Sequence, residues 1–328
     1  MTTFKEIRGT TIEVLSSDPS NPEEGQIWYN SSSGTLKGYQ LANVNAWAAG
    51  GNYPVTMNGN AAAGTQTAAV SWSGYGAIAY TTAANLYNGS AWTATGSVNR
   101  GMYYSIGAGT QTATIKFGGE SASVSYDNFV ETFNGSTWTT NPATLTNGRS
   151  FLAGCGTQTA ALAVCGQIPP SGAGSNYTEK WNGTSWTSSG NYPISSYGVY
   201  AFGSQTAAIA SGGVPASTTS NSFNGTSWTS IPSLNTGRHM HGGAGTATAG
   251  LVFGGIGSPG SVISATELYN GTSWTSNPTG LATARRNVGA AGSQTAALYV
   301  AGDAGAANTA STEEWTGQAL QTKTITVS

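Results

Sequence analysis

Charged side chains are scarce in this sequence of 328 residues: only 7% are charged, and the formal net charge is −2. An average soluble domain has roughly 25% charged residues. With 11 Lys and Arg against 13 Asp and Glu, the chain lacks the electrostatic footprint of a protein that binds nucleic acid or a membrane surface. Its apolar runs are far shorter than the roughly 20 residues of a membrane span. We therefore expect no nucleic-acid partner and no membrane insertion, and the N-terminus shows no apolar core of a secretory signal.

Cysteine is nearly absent, with two residues. Cys155 and Cys165 align with small residues in other copies of the repeat described below, such as Ala63 and Ser73, and free cysteine packs as a small hydrophobe. In a hairpin that places Cys155 opposite Ala160, Cys165 lies roughly 16 Å further along the strand. A disulfide requires Cα atoms within about 7 Å, so we expect both thiols to be free.

Glycine, in contrast, is abundant, with 47 residues, and it recurs in a repeat of about 45 residues. A turn of sequence Gly-Thr-Gln-Thr, or a close variant, begins at six anchor positions: Gly64, Gly109, Gly156, Gly203, Gly245 and Gly292. A second motif, Asn-Gly-x-x-Trp, ends at five equivalent tryptophans: Trp92, Trp138, Trp186, Trp228 and Trp274. A degenerate copy spans Asn43–Trp47. The repeat is predicted to run from residue 34 to residue 328, after an N-terminal docking segment and linker of residues 1–33.

Each repeat is predicted to form four short strands, a to d, exemplified by Arg285–Ala291, Thr295–Val300, Ala265–Tyr269 and Ser273–Ser276. Asn-Gly between two β-prone runs favours a type I′ hairpin between strands c and d. No segment has a sustained helical period. Four strands per repeat predict an all-β, six-bladed propeller, or a seven-bladed one if residues 35–48 belong to an extra blade. The last blade needs a strand from Asn45–Ala48 or from Thr322–Val327.

The order of the motifs resembles that of kelch repeats: an Arg opens strand a, Gly-Gly closes strand b, Glu-x-aromatic lies in strand c and Trp in strand d. The resemblance implies kelch-like blades, and we interpret the five tryptophans as structural residues that pack between blades. Arg149, Arg238 and Arg285 lie seven residues before an anchor glycine, and Arg100 lies nine before. Glutamates occur two positions before the strand-c aromatic in the same repeats: Glu131, Glu179, Glu267 and Glu313. Repeats 1 and 4 lack both members, which indicates structural Arg–carboxylate pairs with bidentate geometry.

The two ends of the blades differ. The a–b and c–d turns repeat almost unchanged, whereas the b–c and d–a connections vary, and variable loops on a rigid scaffold usually carry binding. The i, i+2 spacing of His239 and His241 puts them on one side of strand a, and no third metal ligand lies nearby in sequence. We therefore expect no metal and no cofactor. Candidate binding residues on the variable face are Tyr75, Tyr80, Tyr126, Asp127, Tyr192, Tyr197, His239, His241 and Asp303.

The stretch Asn21–Tyr39, with its NP-x-x-G-x-x-W-Y-N and G-x-L-K elements, resembles a segment of phage structural and fibre proteins. The low-charge Ser/Thr/Asn/Gly repeat resembles marine bacteriophage virion proteins. The resemblance implies a non-enzymatic appendage of the virion, assembled in the host cytoplasm. Its N-terminal segment would contact other virion proteins, and its propeller would bind a host-surface receptor, with glycan as one candidate. The alternatives are a glycan-active enzyme on a propeller and a cellular kelch-type adaptor.

Overall fold

The computed structural model describes residues 12–42 and 45–325. Every regular element in these two ranges is a β-strand. The strands form nine sheets, seven of them four-stranded, and antiparallel pairing dominates. The prediction of an all-β protein is confirmed, and the sheets are consistent with a multi-bladed propeller. The chain divides into two compact units, Ala46–Thr316 and Met1–Asn45 with Gly317–Ser328.

The larger unit contains six four-stranded antiparallel sheets, numbered 1 to 6, whose strands a to d are neighbours in that order. Their bounds are Ala61–Thr65, Ala68–Trp72, Ala84–Tyr87 and Trp92–Ala94 in sheet 1; Ile106–Thr110, Ala113–Phe117, Val130–Phe133 and Trp138–Asn141 in sheet 2; Ala153–Thr157, Ala160–Val164, Thr178–Trp181 and Trp186–Ser188 in sheet 3. Sheet 4 has Val199–Ser204, Ala207–Gly212, Ser220–Phe223 and Trp228–Ser230; sheet 5 has Gly242–Thr246, Ala249–Phe253, Thr266–Tyr269 and Trp274–Asn277; sheet 6 has Gly289–Gly292, Ala296–Val300, Thr312–Thr316 and Ala46–Ala49.

The fourth strand of sheet 6 therefore precedes the rest of the unit in sequence, and Trp47 pairs with Trp315. Of the two segments expected to supply it, the one around Asn45–Ala48 does so. The C-terminal strand Ala319–Thr324 pairs instead with Thr35–Ala42. Residues 326 and 327 of the second predicted segment lie outside the described residues, as do residues 43 and 44 of the degenerate repeat copy. Two short antiparallel pairs complete the unit, Gln167–Ile168 with Ala173–Gly174 and Arg238–His239 with Ile256–Gly257.

The smaller unit is one sheet in the order Glu13–Leu15, Ile27–Asn30, Thr35–Ala42 and Ala319–Thr324. Ile27–Asn30 pairs antiparallel with Thr35–Ala42, so these two strands of the phage-like stretch form a hairpin. Asp18 joins three side chains of the phage-like motif: Trp28 and Asn30 donate to its Oδ1 at 3.1 and 2.8 Å, and Lys37 approaches its Oδ2 at 2.9 Å. These motif residues hold their own sheet together.

The apolar core of the larger unit lies between neighbouring sheets. Trp138 of sheet 2 stacks on Phe133 and lies 5.4 Å from the ring of Trp72 in sheet 1. Trp228 of sheet 4 packs against a cluster that includes Val164 of sheet 3, and its indole N–H donates to a threonine of strand c in sheet 3 at 3.0 Å. A sheet buried on both faces in this way fits a stack of blades.

Three buried ion pairs join the predicted arginines and glutamates. Arg149 donates to Glu179 at 2.6 Å, and Arg238–Glu267 and Arg285–Glu313 are each 2.7 Å apart. The pairs use one guanidinium nitrogen each, so the expected bidentate geometry is wrong. The other nitrogen, Nη1, donates to two backbone carbonyls at each site, because the b–c loop closes around the guanidinium.

The second sheet departs from the expected Arg–Glu pairing. Glu131 binds Lys116 of strand b at 2.5 Å, and both side chains are buried. Arg100, the expected partner, instead approaches Asp127 at 2.6 Å. Arg100 lies two residues earlier than the other arginines relative to the anchor glycine, so its side chain follows a different path and remains partly exposed.

Neutral residues replace the ion pairs in sheets 1 and 4. Asn85 of sheet 1 donates to the hydroxyl of Tyr53 at 2.9 Å, and Tyr53 is buried. In sheet 4 the equivalent residues are Asn221 and Tyr192, both buried. A tyrosine from the d–a connection thus occupies the place of the guanidinium without any charge.

The glutamine of the Gly-Thr-Gln-Thr turn links neighbouring sheets, which turn geometry alone did not predict. Gln66 of sheet 1 donates to the carbonyls of Ala297 and Trp315 in sheet 6, at 3.2 and 2.7 Å. The same pair of hydrogen bonds to the preceding sheet, at 2.5–3.1 Å, is made by four further glutamines: Gln111, Gln158, Gln205 and Gln294. Ala247 stands at this position in sheet 5.

We expect Gln66→Ala to lower the free energy of unfolding by about 1–3 kcal/mol, because two carbonyls lose their donor. Urea unfolding of the purified variant measures it. Ala247→Gln is the matched control and should stabilise the protein by up to about 1 kcal/mol, since it adds the same bonds where they are lacking. Equal stability of Gln66→Ala and the parent chain would show that the glutamine does not connect the sheets energetically.

Candidate functional site

The a–b and c–d turns fix their own geometry through glycine and through side-chain hydrogen bonds. Each anchor glycine has φ between 106° and 129°, and a Cβ at Gly64 would lie 2.3 Å from the carbonyl oxygen of Ala68, so only glycine fits this turn. In the c–d turn, Oδ1 of Asn182 accepts the N–H groups of Thr184 and Ser185 at 3.0 and 2.9 Å. The turn asparagines have negative φ, so the predicted type I′ turn is wrong: their side chains organise the turn instead.

The opposite edge, formed by the b–c and d–a connections, carries a repeated backbone arrangement that we call the mouth ring. It consists of the dipeptides six and five positions before each anchor glycine: Asn58-Gly59, Tyr103-Tyr104, Ser150-Phe151, Tyr197-Gly198, His239-Met240 and Arg286-Asn287. The second residue of every dipeptide has left-handed φ, between 52° and 64°. This turn explains why strand a of sheet 6 begins at Gly289 instead of at Arg285.

Backbone hydrogen bonds fix the mouth ring in two directions. Within a sheet, the first residue of each dipeptide pairs with the residue 17 positions later, as in Asn58 with Tyr75 and Tyr103 with Glu120. Between sheets, the N–H of the left-handed residue donates to the carbonyl of its equivalent in the preceding sheet in five of the six cases; Phe151 makes no such bond to Tyr104. These bonds are 2.7–3.1 Å long and include the one from Gly59 to Asn287, which joins sheet 1 to sheet 6. The ring is therefore a rigid frame for its side chains.

Those side chains differ in all six sheets, while the backbone is shared. One half is aromatic. Tyr80, Tyr75, Tyr103, Tyr104, Phe151 and Tyr197 form a continuous series of ring contacts across sheets 1 to 4, which we call the aromatic arc. All six are half-buried, so each presents part of its ring at the surface.

The other half of the mouth ring is polar. Arg286 approaches Asp303 at 2.8 Å. His239 is half-buried, and burial together with the charge of Arg286 lowers the pKa of its imidazole. The imidazole of His239 is therefore neutral at pH 7. At the end of the arc, the hydroxyl of Tyr80 donates to Glu120 at 2.7 Å, and burial and this carboxylate raise the pKa of Tyr80 to about 12.

Five of the nine candidate residues lie in this region. Tyr75, Tyr80 and Tyr197 belong to the aromatic arc, His239 belongs to the mouth ring, and Asp303 binds Arg286 of the ring. Tyr126 is half-buried and lies beside the next b–c loop, where its hydroxyl would be 2.8 Å from a Cβ at Gly172. No ring contact joins it to the arc within the part of the chain that the structure describes.

Three candidates are buried and cannot meet a surface ligand. Tyr192 is 1% exposed and packs in the core, because it fills the place of a guanidinium. Asp127 is 4% exposed and accepts from Arg100. His241 is 3% exposed and lies 3.4 Å from the hydroxyl of Ser211. The expectation that both histidines lie on one side of strand a is also wrong, because the left-handed Met240 separates them and the strand begins at Gly242.

Sequence reasoning missed Tyr103, Tyr104, Phe151, Met240 and Arg286. Their shared feature is a constant distance before the anchor glycine, and counting back from each anchor would have found the positions. Nothing in their residue types marks them, since the six dipeptides have no side chain in common. Their importance follows only from the left-handed backbone, which is a structural property.

Exposed apolar side chains also lie on the edge formed by the b–c and d–a connections. In the larger unit the exposed large hydrophobic residues are Val55, Ile78, Val124 and Ile194, and each lies in a b–c or d–a connection. Ile78, between Tyr75 and Tyr80, is 90% exposed. All four therefore lie on the edge that carries the mouth ring.

Both thiols are free and buried, although Cys155 pairs with Leu162 and not with Ala160. Among residues 12–42 and 45–325, no group of three or more His, Cys, Asp and Glu side chains could hold a metal ion. The same residues contain no helix long and apolar enough to cross a membrane. No known family model matches the chain, and the search of curated proteins found no match.

Proposed function

We propose that the larger unit is a six-bladed, kelch-like propeller and that the chain is a non-enzymatic appendage of a bacteriophage particle that binds the host surface through the mouth ring. The observation that carries the binding role is the mouth ring itself, a shared rigid backbone with six different pairs of side chains. Recognition of one ligand needs such asymmetry, and the opposite edge offers only repeated turns.

Contacts between sheets 1 and 6 support six blades and a closed ring. Strand a of sheet 6 contacts strand a of sheet 1, and Gly59 and Gln66 of sheet 1 both donate to sheet 6. The strand Ala46–Ala49 completes sheet 6 from the other end of the unit. Joining both ends of a unit in one sheet is how propellers close.

A binding role is favoured over an enzymatic one by the state of the carboxylates. The four repeated glutamates are 0–3% exposed and lie in ion pairs within separate sheets. Asp127 and Asp303 accept from different arginines. Most glycoside hydrolases place two carboxyl groups across one bond; near the mouth ring, Asp303 is held by Arg286 and Glu120 accepts from Tyr80.

The smaller unit is proposed to dock on the particle. Apart from the phage-like motif, its support is an apolar surface on one side of the sheet. Val14 pairs with Tyr29 across two strands, and they are 66% and 39% exposed. An exposed aliphatic and aromatic pair on a small sheet is suited to burial against another protein.

Antibodies against the purified chain should label intact particles of the phage that carries its gene, and they should block adsorption to the host. Val14→Ser/Tyr29→Ser should abolish incorporation into particles without loss of folding, because it removes the apolar pair. Unlabelled particles would contradict the virion assignment. Labelled particles whose adsorption is unaffected by antibodies against the mouth ring would contradict host binding.

A further inference from the structure

The aromatic arc is continuous across four sheets. Ring centroids are 5.4 Å apart between Tyr75 and Tyr80, 5.9 Å between Tyr75 and Tyr103, and 5.9 Å between Phe151 and Tyr197. Tyr104 stacks on Phe151 in the middle. The arc is therefore an extended strip of ring surface that starts at the b–c loop of sheet 1 and ends at sheet 4.

Two members of the arc occupy a backbone conformation that disfavours them. Tyr104 and Phe151 have φ of 55° and 52°, a region that bulky residues rarely adopt. Gly59 and Gly198 hold the equivalent positions in sheets 1 and 4, where they adopt it without strain. Such strain is characteristic of functional sites. The aromatic side chains therefore do not serve the stability of the turn, and their surface is the property that distinguishes them from glycine.

The charges around the mouth ring are balanced or negative. Arg286 is compensated by Asp303, His239 is neutral, and Glu120 adds a carboxylate beside Tyr80. In the part of the ring that the structure describes, no cation remains to bind a phosphate, sulfate or carboxylate. Tyrosine hydroxyls and the Glu120 carboxylate can instead exchange hydrogen bonds with uncharged hydroxyl groups.

The cavity inside the mouth ring is small. It has a volume of about 60 Å³ and is lined by the left-handed residues, among them Tyr104, Phe151 and Met240. Pockets that enclose a small molecule are typically about 300–1,000 Å³. A ligand larger than this cavity that binds at the mouth ring therefore lies across the rim, in contact with the exposed parts of the aromatic rings.

We propose that the aromatic arc is a binding platform for a neutral glycan chain. The proposal rests on the host-surface binding proposed above and adds its chemical class. A sugar chain presents apolar C–H faces to stack on the rings and hydroxyl groups for Tyr80 and Glu120. The absence of a free cation among the described residues of the ring disfavours anionic polysaccharides.

The test uses an array of neutral polysaccharides (glucans, mannans, galactans and chitin oligomers) beside anionic ones (alginate, carrageenan and heparin). The full chain is expected to bind at least one neutral glycan. Tyr104→Gly/Phe151→Gly should weaken this binding about tenfold or more with an unchanged or higher melting temperature, since glycine relieves the left-handed strain. Thr184→Ala/Ser185→Ala, on the opposite edge, is the matched control and should bind like the parent chain.

Binding to anionic polysaccharides alone, or to no glycan of the array, would overturn the proposal. So would an equal loss of binding in the control. Periodate oxidation of host-cell carbohydrate separates the two proposals: if the chain still adsorbs to oxidised cells and the arc variant does not, host binding stands and the glycan is wrong. If the chain never adsorbs to host cells, the proposed function fails whatever the array shows.

Discussion

Glu267→Gln is expected to lower the free energy of unfolding by about 3–5 kcal/mol, the range seen when one partner of a buried ion pair is removed. Arg238 donates to Glu267 at 2.7 Å, and both side chains are fully buried. The other carboxylate oxygen accepts the backbone N–H of Asn235 at 2.7 Å, which ties the d–a connection to sheet 5. Burial lowers the pKa of Arg238, and Glu267 opposes this effect. Removal of the Glu267 carboxylate therefore leaves the buried guanidinium charge of Arg238 without compensation.

Urea unfolding monitored by tryptophan fluorescence measures the effect. Glu24→Gln, the same change at an exposed position, should alter stability by less than about 0.5 kcal/mol. Replacing both partners, as in Arg238→Met/Glu267→Leu, should recover much of the loss because no charge is left unpaired. A single variant as stable as the parent, or one that loses glycan binding at unchanged stability, would show that the pair is not structural.

The protein is expected to lose stability steeply above pH 9, in two stages. Burial raises the pKa of Cys155 to about 12 and raises that of Cys165 as well, while an unfolded thiol titrates near 8.5. Above that pH the unfolded state releases protons that the folded state retains, so each thiol reduces stability by about 1.4 kcal/mol per pH unit. Three buried tyrosines add a second stage above about pH 10 by the same mechanism: Tyr53, Tyr192 and Tyr299.

Stability falls as the pH rises because the pKa values of these groups in the folded state lie above those in the unfolded state. The stability of these groups is fully present below the unfolded pKa and is lost as the pH rises. Cys155→Ala/Cys165→Ala should remove the first stage and leave the second, and alanine already occupies the equivalent positions in sheet 6 at Ala291 and Ala301. Thermal melts between pH 7 and 11 test this. A double variant with the same pH profile as the parent would contradict the role of the thiols.

The sequence alone determined the features that depend on local backbone chemistry. The anchor glycines are required wherever a Cβ would collide with the carbonyl across the turn, as at Gly64, so the repeat and its four strands could be read directly. The pairing of Arg238 with Glu267 could also be inferred, because repeats 1 and 4 lack both the arginine and the glutamate at the equivalent positions. In each case one residue type suits one position, and the pattern repeats.

Only the tertiary structure decided which side chains meet across sheets. Trp228 of sheet 4 donates to Thr178 of sheet 3. Within a sheet, the structure also decided that Lys116 takes the place of an arginine beside Glu131 and that Tyr192 is buried in place of a guanidinium. No residue type is common to all six dipeptides of the mouth ring, so no motif marks them. They come together because a left-handed backbone at one position of each repeat is hydrogen-bonded to its neighbour at five of the six junctions, and such a ring exists only once the sheets are assembled.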